Sequence, residues 1–348
     1  MMGVRPRMYE MIHKQADTIS YIARGCRAQA TVANSMLRGA RAYLTGCGSS
    51  YHAALYGEHT LRAHGIDARA VHALDILEYC ATDTAGSVAL ILSHSWRTVT
   101  TLDAFRLLKR SGARCIALTS AEHTDAILTV RNSPVVDESD CVTLGYTSML
   151  ASLYLISAPA HALLHTSRLM DAIIAGVEEP VRALVDEYSS RSRFIFLGAG
   201  MDTATALEAA LKMKEGNFTD SEGMHIEQFL HGSISGVEEG DVVFIVASSR
   251  SSAYAKSRVE KAVDALHAIG AGVVVVSDDY ALSRMGDRAV TIPECNAYEH
   301  PILAIVPLQL FAYYYAVSKG INPDHTREDD ERYRNAYSIL RLHSSRTD

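Results

Sequence analysis

The sequence lacks any close pairing of its cysteines. Cys26, Cys47, Cys80, Cys115, Cys141 and Cys295 are scattered, and no CxxC occurs. Zinc sites and small disulfide frameworks use tighter spacing, so neither organises this chain. Cys115, inside the apolar run CIALTS, reads as a small buried hydrophobe, and a reducing compartment is expected. A basic excess is also missing: the formal charge is −7, with acids and bases interspersed. That argues against nucleic acid as a partner, which needs a basic face, but leaves room for a small anion held by local donors. No uninterrupted apolar run reaches the roughly 18 residues of a membrane span, and MMGVRPRMYEMIHKQ lacks the apolar core of a signal peptide. Low-complexity segments are absent. The expectation is a cytoplasmic globular protein with no membrane partner.

What is present is enough for two domains. The chain has 348 residues, of which 48% are hydrophobic and 21% charged. It is also written twice. YLTGCGSSYHAAL from Tyr43 matches FLGAGMDTATAL from Phe196, SVALILSHSWRT from Ser87 matches DVVFIVASSRSS from Asp241, and GARCIALTS from Gly112 matches GAGVVVVSD from Gly270. The offsets between the copies are 152, 154 and 158 residues, in the same order. Runs such as VALIL and VVVVS are continuously apolar, as strands covered on both faces read. They alternate with helical segments such as Thr100 to Arg110 and Tyr254 to Ile269. The pattern predicts an α/β protein of two tandem doubly wound parallel sheets, flavodoxin-like and related by duplication. One opening helix is expected over Tyr9 to Leu37, and two helices without a strand between them over Leu150 to Ser189.

Ligands of such sheets bind beyond the carboxyl ends of the strands, where strand order reverses. Ser93, His94, Ser95 and Thr98 follow the strand VALIL and precede a helix, and Ser49 and Ser50 close the first glycine turn after Gly48. Amides at a helix start, reinforced by hydroxyls, hold a phosphate without a lysine. The plain alternative is helix N-capping by the same serines. Two clusters at one sheet edge favour the anion site, with Ser248 to Ser252 as a degenerate second copy. A dinucleotide site fits less well, because Tyr51 and Thr203 stand where the third glycine of G-x-G-x-x-G belongs. In ALEAALKMKEGNF, residues Glu208, Lys212 and Glu215 project from one helix face. Spacing alone favours an exposed face carrying a Glu–Lys pair, and His231, in a stretch before a glycine, carries no signal by itself.

TGCGSSYHAAL, SHSWRTVTTLDA, ALEAALKMKEGNF and EQFLHGS together resemble the sugar isomerase (SIS) superfamily over about Tyr9 to His325. The pattern is most similar to the isomerase part of glucosamine-6-phosphate synthases and to the stand-alone glucosamine-6-phosphate deaminases and fructosamine-6-phosphate deglycases. The resemblance implies a phosphate pocket from Ser49, Ser50, Ser93, His94, Ser95 and Thr98, with Gly48 beside it. It implies Glu215 as the group that moves a proton between C1 and C2. It implies His231 as the ring-opening residue, sixteen residues on and often donated across a homodimer interface. Glu208 and Lys212 take supporting catalytic positions, and Glu222 an auxiliary one. Aldose–ketose chemistry needs a carboxylate base and an acid near neutral pKa; neither a metal nor a cofactor is called for.

Several positions depart from the family pattern. Trp96 and Arg97 replace the usual Gly-Glu after the Ser-x-Ser, Gln228 stands at a common glutamate, and Ser233 at a common proline. The synthase lysine of the closing tail has no counterpart after Lys319; Arg327, Arg332 and Tyr333 stand as candidates there. The glutaminase part has no match, so glutamine-dependent synthesis is not expected. The domains expected are a helical segment at 1–40, a first SIS domain with the phosphate site at 41–167, a second with the catalytic helix at 168–320, and a closing tail at 321–348. The expected partner is a phosphorylated amino sugar, and the expected reaction converts glucosamine 6-phosphate to fructose 6-phosphate and ammonia. A deglycase, a plain ketose–aldose isomerase and a non-catalytic sugar-phosphate sensor are the alternatives.

Overall fold

A computed structural model describes residues 6–79, 84–327 and 329–343; Cys80 lies outside them. The chain divides into two compact units. The first is Lys14–Glu138, Val142–Ser167 and His325–Asp348; the second is Met1–His13, Ser139–Cys141 and Arg168–Asp324.

The single opening helix expected from the sequence is three: α1 (Arg7–His13), α2 (Gln15–Gly25) and α3 (Arg27–Leu37). Gly25 weakens the middle of the run, and Cys26 leaves helical geometry at φ −102° and ψ 6°. Of the three, α1 belongs to the second unit and the others to the first.

The first unit carries β1 (Arg41–Thr45), α4 (Ser49–Ala63), β2 (Asp67–Ala70), α5 (Ala73–Tyr79), β3 (Val88–Leu92), α6 (Val99–Arg110), β4 (Arg114–Thr119), β5 (Leu128–Arg131) and α7 (Leu144–Ser157). Its five strands are parallel, in the order β2-β1-β3-β4-β5. Alternate residues face opposite sides of the sheet. Tyr43, Ala89, Ile91 and Cys115 pack with Ile76 of α5 and Phe105 and Leu108 of α6. On the other side, α4 passes so close that a Cβ on Gly57 would lie 2.4 Å from Leu44 and 2.9 Å from Leu153 of α7. Every residue of α7 but the last is buried. Its hydroxyls are absorbed by its own backbone: Ser148 donates to Leu144 O at 2.5 Å and Ser152 to Ser148 O at 2.9 Å.

Helix α8 (Ala160–Tyr188) is shared between the units. The second unit continues with β6 (Arg193–Gly198), α9 (Asp202–Asn217), β7 (Asp220–His225), α10 (Ile226–Leu230), β8 (Val242–Ala247), α11 (Ala253–Ile269), β9 (Gly272–Ser277), α12 (Tyr280–Ser283), β10 (Arg288–Thr291) and α13 (His300–Ser318). The chain ends on α14 (Glu331–Leu340), in the first unit. The second sheet is again parallel, ordered β10-β9-β8-β6-β7. Read from the other edge, that is the flavodoxin-like order of the first. The registers also agree. Leu44 lies beside Leu90 and Leu90 beside Ile116 in one sheet; Phe196 lies beside Phe244 and Phe244 beside Val274 in the other. These are the sequence offsets of 152, 154 and 158 expressed as strand pairing.

One face of the second sheet packs on α10 and α11 through Val243, Ile245, Phe229, Val263 and Leu266. The other stacks Phe194, Phe196 and Phe244 with Phe311 and Tyr315 of α13. By length and composition α13 is apolar enough to cross a membrane, but 89% of its apolar window is buried inside the protein. Its apolar character serves the aromatic core.

Two outcomes follow. A Cβ on Gly223 of β7 would sit 2.4 Å from Ala206 O and 2.6 Å from Leu207 Cα, both backbone of α9. Gly223→Ala is therefore expected to cost about 2–4 kcal/mol in urea unfolding. Gly176→Ala, in an exposed helical position with open space around it, should instead gain roughly 0.5–1 kcal/mol. The second outcome concerns Glu178 of α8. Its carboxylate accepts from Tyr9 Oη at 2.7 Å, His13 Nε2 at 2.9 Å and Tyr314 Oη at 2.8 Å. Burial pushes this carboxyl up, but the tyrosine bonds and the His13 charge outweigh it and hold it below its ordinary 4.5. A depressed carboxyl contributes stability above the unfolded pKa and loses it as pH falls through the folded one. Glu178→Gln should lower stability at pH 7, and the difference from wild type should close as pH falls below about 4.

Candidate active site

Both sheets reverse strand order next to their glycine turns, between β1 and β3 in the first unit and between β6 and β8 in the second. The glycines have equivalent jobs in both. A Cβ on Gly46 would lie 2.7 Å from Ser50 and 2.8 Å from Leu92 O, and one on Gly198 would lie 2.2 Å from Asp202 O. Gly48 and Gly200 adopt φ +55° and +58°. The turn is a close approach followed by a left-handed residue, and only glycine meets both needs without strain.

In the first unit the turn leads into α4 with Gly48 as its N-cap and Ser49 and Ser50 in the first turn, both half-buried. Across the reversal, Ser93 is buried and its hydroxyl has no partner among the described residues. The Thr45 hydroxyl at the end of β1 is likewise buried and unpartnered. His94 is fixed at three points. Its carbonyl accepts from Thr119 Oγ1 at 3.0 Å and Ser120 Oγ at 2.7 Å, and its Nε2 accepts from Asp137 N at 2.9 Å. The ring lies against Gly145, where a Cβ would come within 2.8 Å of it. Burial pushes this imidazole down to about 4, so it is neutral, and an accepting Nε2 leaves the proton on Nδ1, which has no partner. Thr98 is the N-cap of α6 but makes no side-chain cap bond. Capping, the plain reading of these hydroxyls, does not account for Ser93 or Thr98. The loop also meets the C-terminal segment: Thr98 bridges to His343, and Val99 N donates to Leu342 O at 3.0 Å. Arg327 donates to Tyr333 Oη and lies over its ring, while Arg332 is committed to Asp330 at 2.6 Å.

The second copy of the turn is filled from within. Ser252 caps α11 by accepting from Ala255 N, and Ser248 Oγ accepts from Arg250 N. Ser249 donates its N–H at 2.5 Å and its hydroxyl at 2.7 Å to the Asp278 carboxylate. Asp202, at the start of α9, takes His300 Nδ1 at 2.9 Å, and His300 Nε2 stands 3.6 Å from Asp278. The second separation is an ionic contact, too long for a hydrogen bond. Burial pushes His300 down, but Asp202 and then Asp278 outweigh it and raise it above its ordinary value. The sequence offsets pair Asp202 with Ser50 and Asp278 with Ser120, so both carboxylates were open to detection by aligning the repeats. Their partner His300 was not, because it lies outside the matched windows.

Helix α9 carries the charged face. Glu208 and Lys212 are fully buried, which overturns the exposed-pair reading, and Glu215 is 28% exposed. Lys212 Nζ lies 3.2 Å from Glu208 Oε1 and donates to Glu215 Oε2 at 2.6 Å. Burial alone would push Lys212 down; Glu208 and then Glu215 outweigh it and keep it charged. The Cys141 thiol also donates to Lys212 O, at 3.7 Å. Glu222 is exposed on the edge strand β7. His231 ends α10 at 76% exposure and faces Glu227 at 3.4 Å. Glu227 in turn accepts from Arg258 Nε and Nη2. Glu227 escaped the sequence reading, although it sits four residues before His231 on one helical turn.

Comparison with known proteins places this geometry. The profile of the SIS domain family matches residues 36–158 and 187–319, one match for each half of the repeat. The isomerizing glutamine–fructose-6-phosphate aminotransferase of Pyrococcus horikoshii is 28% identical over 317 residues, covering 85% of this chain and 52% of that protein. The chain thus spans about half the length of the curated relatives it matches. Among solved structures, the C-terminal domain of the glucosamine-fructose-6-phosphate aminotransferase of Francisella tularensis superposes with a TM-score of 0.81 at 19% identity, over 93% of this chain and 99% of that one. The glucosamine-6-phosphate deaminase of Thermotoga maritima superposes with a TM-score of 0.72 at 23% identity, over 92% and 98%. With two profile matches that together cover most of its length and one flavodoxin-ordered sheet under each, the chain belongs to the SIS domain family.

Proposed function

We propose that the chain is a phosphosugar enzyme that isomerises and deaminates glucosamine 6-phosphate, releasing fructose 6-phosphate and ammonia. The observation that carries this reading is the buried Lys212 ammonium between Glu208 and Glu215. Of the two carboxylates only Glu215 reaches the surface, at 28% exposure, and in this reading it acts as the base. The names of the relatives, isomerizing aminotransferases and a glucosamine-6-phosphate deaminase, agree with that substrate class.

In this reading the phosphate is held at the first switch point by the α4 and α6 amides and by Ser49, Ser50, Ser93, Ser95 and Thr98. His94 acts by shaping the loop through Asp137, Thr119 and Ser120. His231 moves the proton that opens the ring. Its exposure suits donation to a second copy in a homodimer. Glu215 then removes the C2 proton of the open chain, giving an enolamine, and returns it to C1. The resulting C2 imine takes up water and loses ammonia. General-base catalysis of this kind contributes about 10²–10⁴ in rate. The C-terminal segment with Arg327, already bridged to the phosphate loop at Thr98, is the proposed cover.

Two experiments bear on this. Glu215→Gln should lower kcat for ammonia release from glucosamine 6-phosphate by about 10³ while KM changes little. Turnover of a fructosamine 6-phosphate without any from glucosamine 6-phosphate would move the assignment to a deglycase. Binding of either without turnover would make the protein a sensor. Lys212→Met, by contrast, removes the ammonium that faces the buried Glu208, and should cost about 3–5 kcal/mol in denaturant unfolding. Adding Glu208→Leu should restore much of that stability without restoring activity.

A further inference from the structure

The second switch point keeps a pocket of its own, about 230 Å³, between the ends of β6 and β8 and the start of α11. It is smaller than a drug-sized site, so its occupant is a compact molecule. Ala199, Ala247 and Ala255 make close approach easy, and Ile226, Val246 and Val259 supply an apolar wall. The one carboxylate set into the sheet end of this lining is Asp202. His300 holds its Oδ1, and Oδ2 has no partner among the described residues.

The charge around that carboxylate is the reverse of the first copy. Where the first unit has Ser50 and Ser120, this one has Asp202 and Asp278, with His300 between them. Two carboxylates and one imidazolium leave a net negative charge behind the pocket. At the rim, Arg258 and Glu227 neutralise each other. An anion entering here would be repelled, while a cation would meet Asp202 Oδ2 in partly desolvated surroundings, where charge attraction is strong. We propose that this pocket binds a small primary amine with an apolar body, its ammonium on Asp202 and its hydrocarbon against Ile226, Val246 and Val259. The site stands apart from the phosphosugar reading and does not depend on it.

The probes are 3-methylbutylamine, the alcohol 3-methylbutan-1-ol and the anion 4-methylpentanoate, titrated calorimetrically into the intact protein at low salt. The amine should bind saturably, at least tenfold tighter than the alcohol, and the carboxylate should not bind. Asp202→Asn should bring amine and alcohol to equal affinity. Ala255→Leu, at a half-exposed helix position that tolerates a larger side chain, should abolish binding of both while circular dichroism is unchanged. Equal binding of amine and alcohol to the wild type, absence of saturable amine binding at millimolar concentration, or amine binding that survives Ala255→Leu would each overturn the assignment.

Discussion

A lysine ammonium with no access to water sets the terms for the second unit. Moving such an ion out of water costs several kcal/mol even after relaxation, and the protein recovers that only with well-placed counter-charges. Glu208 and Glu215 provide them at i−4 and i+3 along one rigid helix, at 3.2 and 2.6 Å. The surroundings of α9 are correspondingly tight. β7 approaches so closely that Gly223 admits no side chain, Ser221 donates to Ala210 O at 2.8 Å, and Asn217 reaches Ala312 O on α13 at 3.2 Å. A buried ion pair is poor evidence for stability, since apolar residues of similar volume often serve as well. Here it holds two carboxylates, one buried and one reaching the surface, against one ammonium along a single helix.

The two copies solve one local problem in opposite ways. Both sheets end in a turn whose amides and hydroxyls point beyond the strands, and donors left unpaired in the interior are costly. In the first unit, the Thr45 and Ser93 hydroxyls and His94 Nδ1 remain unpartnered among the described residues. In the second, Asp278 accepts both bonds from Ser249 and Asp202 holds His300. Carboxylates at two positions where the first copy has hydroxyls fill the second turn from inside, while the first turn keeps its buried hydroxyls unpartnered among the described residues.

Much of this was legible in the sequence, for definite reasons. Strands buried on both faces read as apolar runs, and the repeat offsets turned out to be strand registers, so fold class and duplication were readable from residues alone. The position of the Ser93–Thr98 loop between β3 and α6 was legible because the apolar strand run VALIL ends just before it. Burial of Glu208 and Lys212 was not legible: a spacing says which residues share a face, and only the neighbours decide whether that face is covered. The break of the opening helix at Cys26 was obscured because its helical periodicity continues through Gly25. His300 lies 98 residues from Asp202, and no local pattern links an imidazole to a carboxylate over such a distance.

The self-filled turn also bears on how the second half keeps its buried donors paired. Without Asp278, the Ser249 N–H and hydroxyl would stand unpaired beside a buried strand end, at about 1–3 kcal/mol for each group. Asp278 removes that cost, but a lone buried carboxylate would bring a larger one. His300 offsets it, and because His300 also bonds Asp202, the correction is passed to the first turn of α9. The helix that carries Glu215 is therefore anchored at its start by the Asp202–His300 bond. The second half thus holds the start of α9 through the carboxylates that stand where the first half has Ser50 and Ser120.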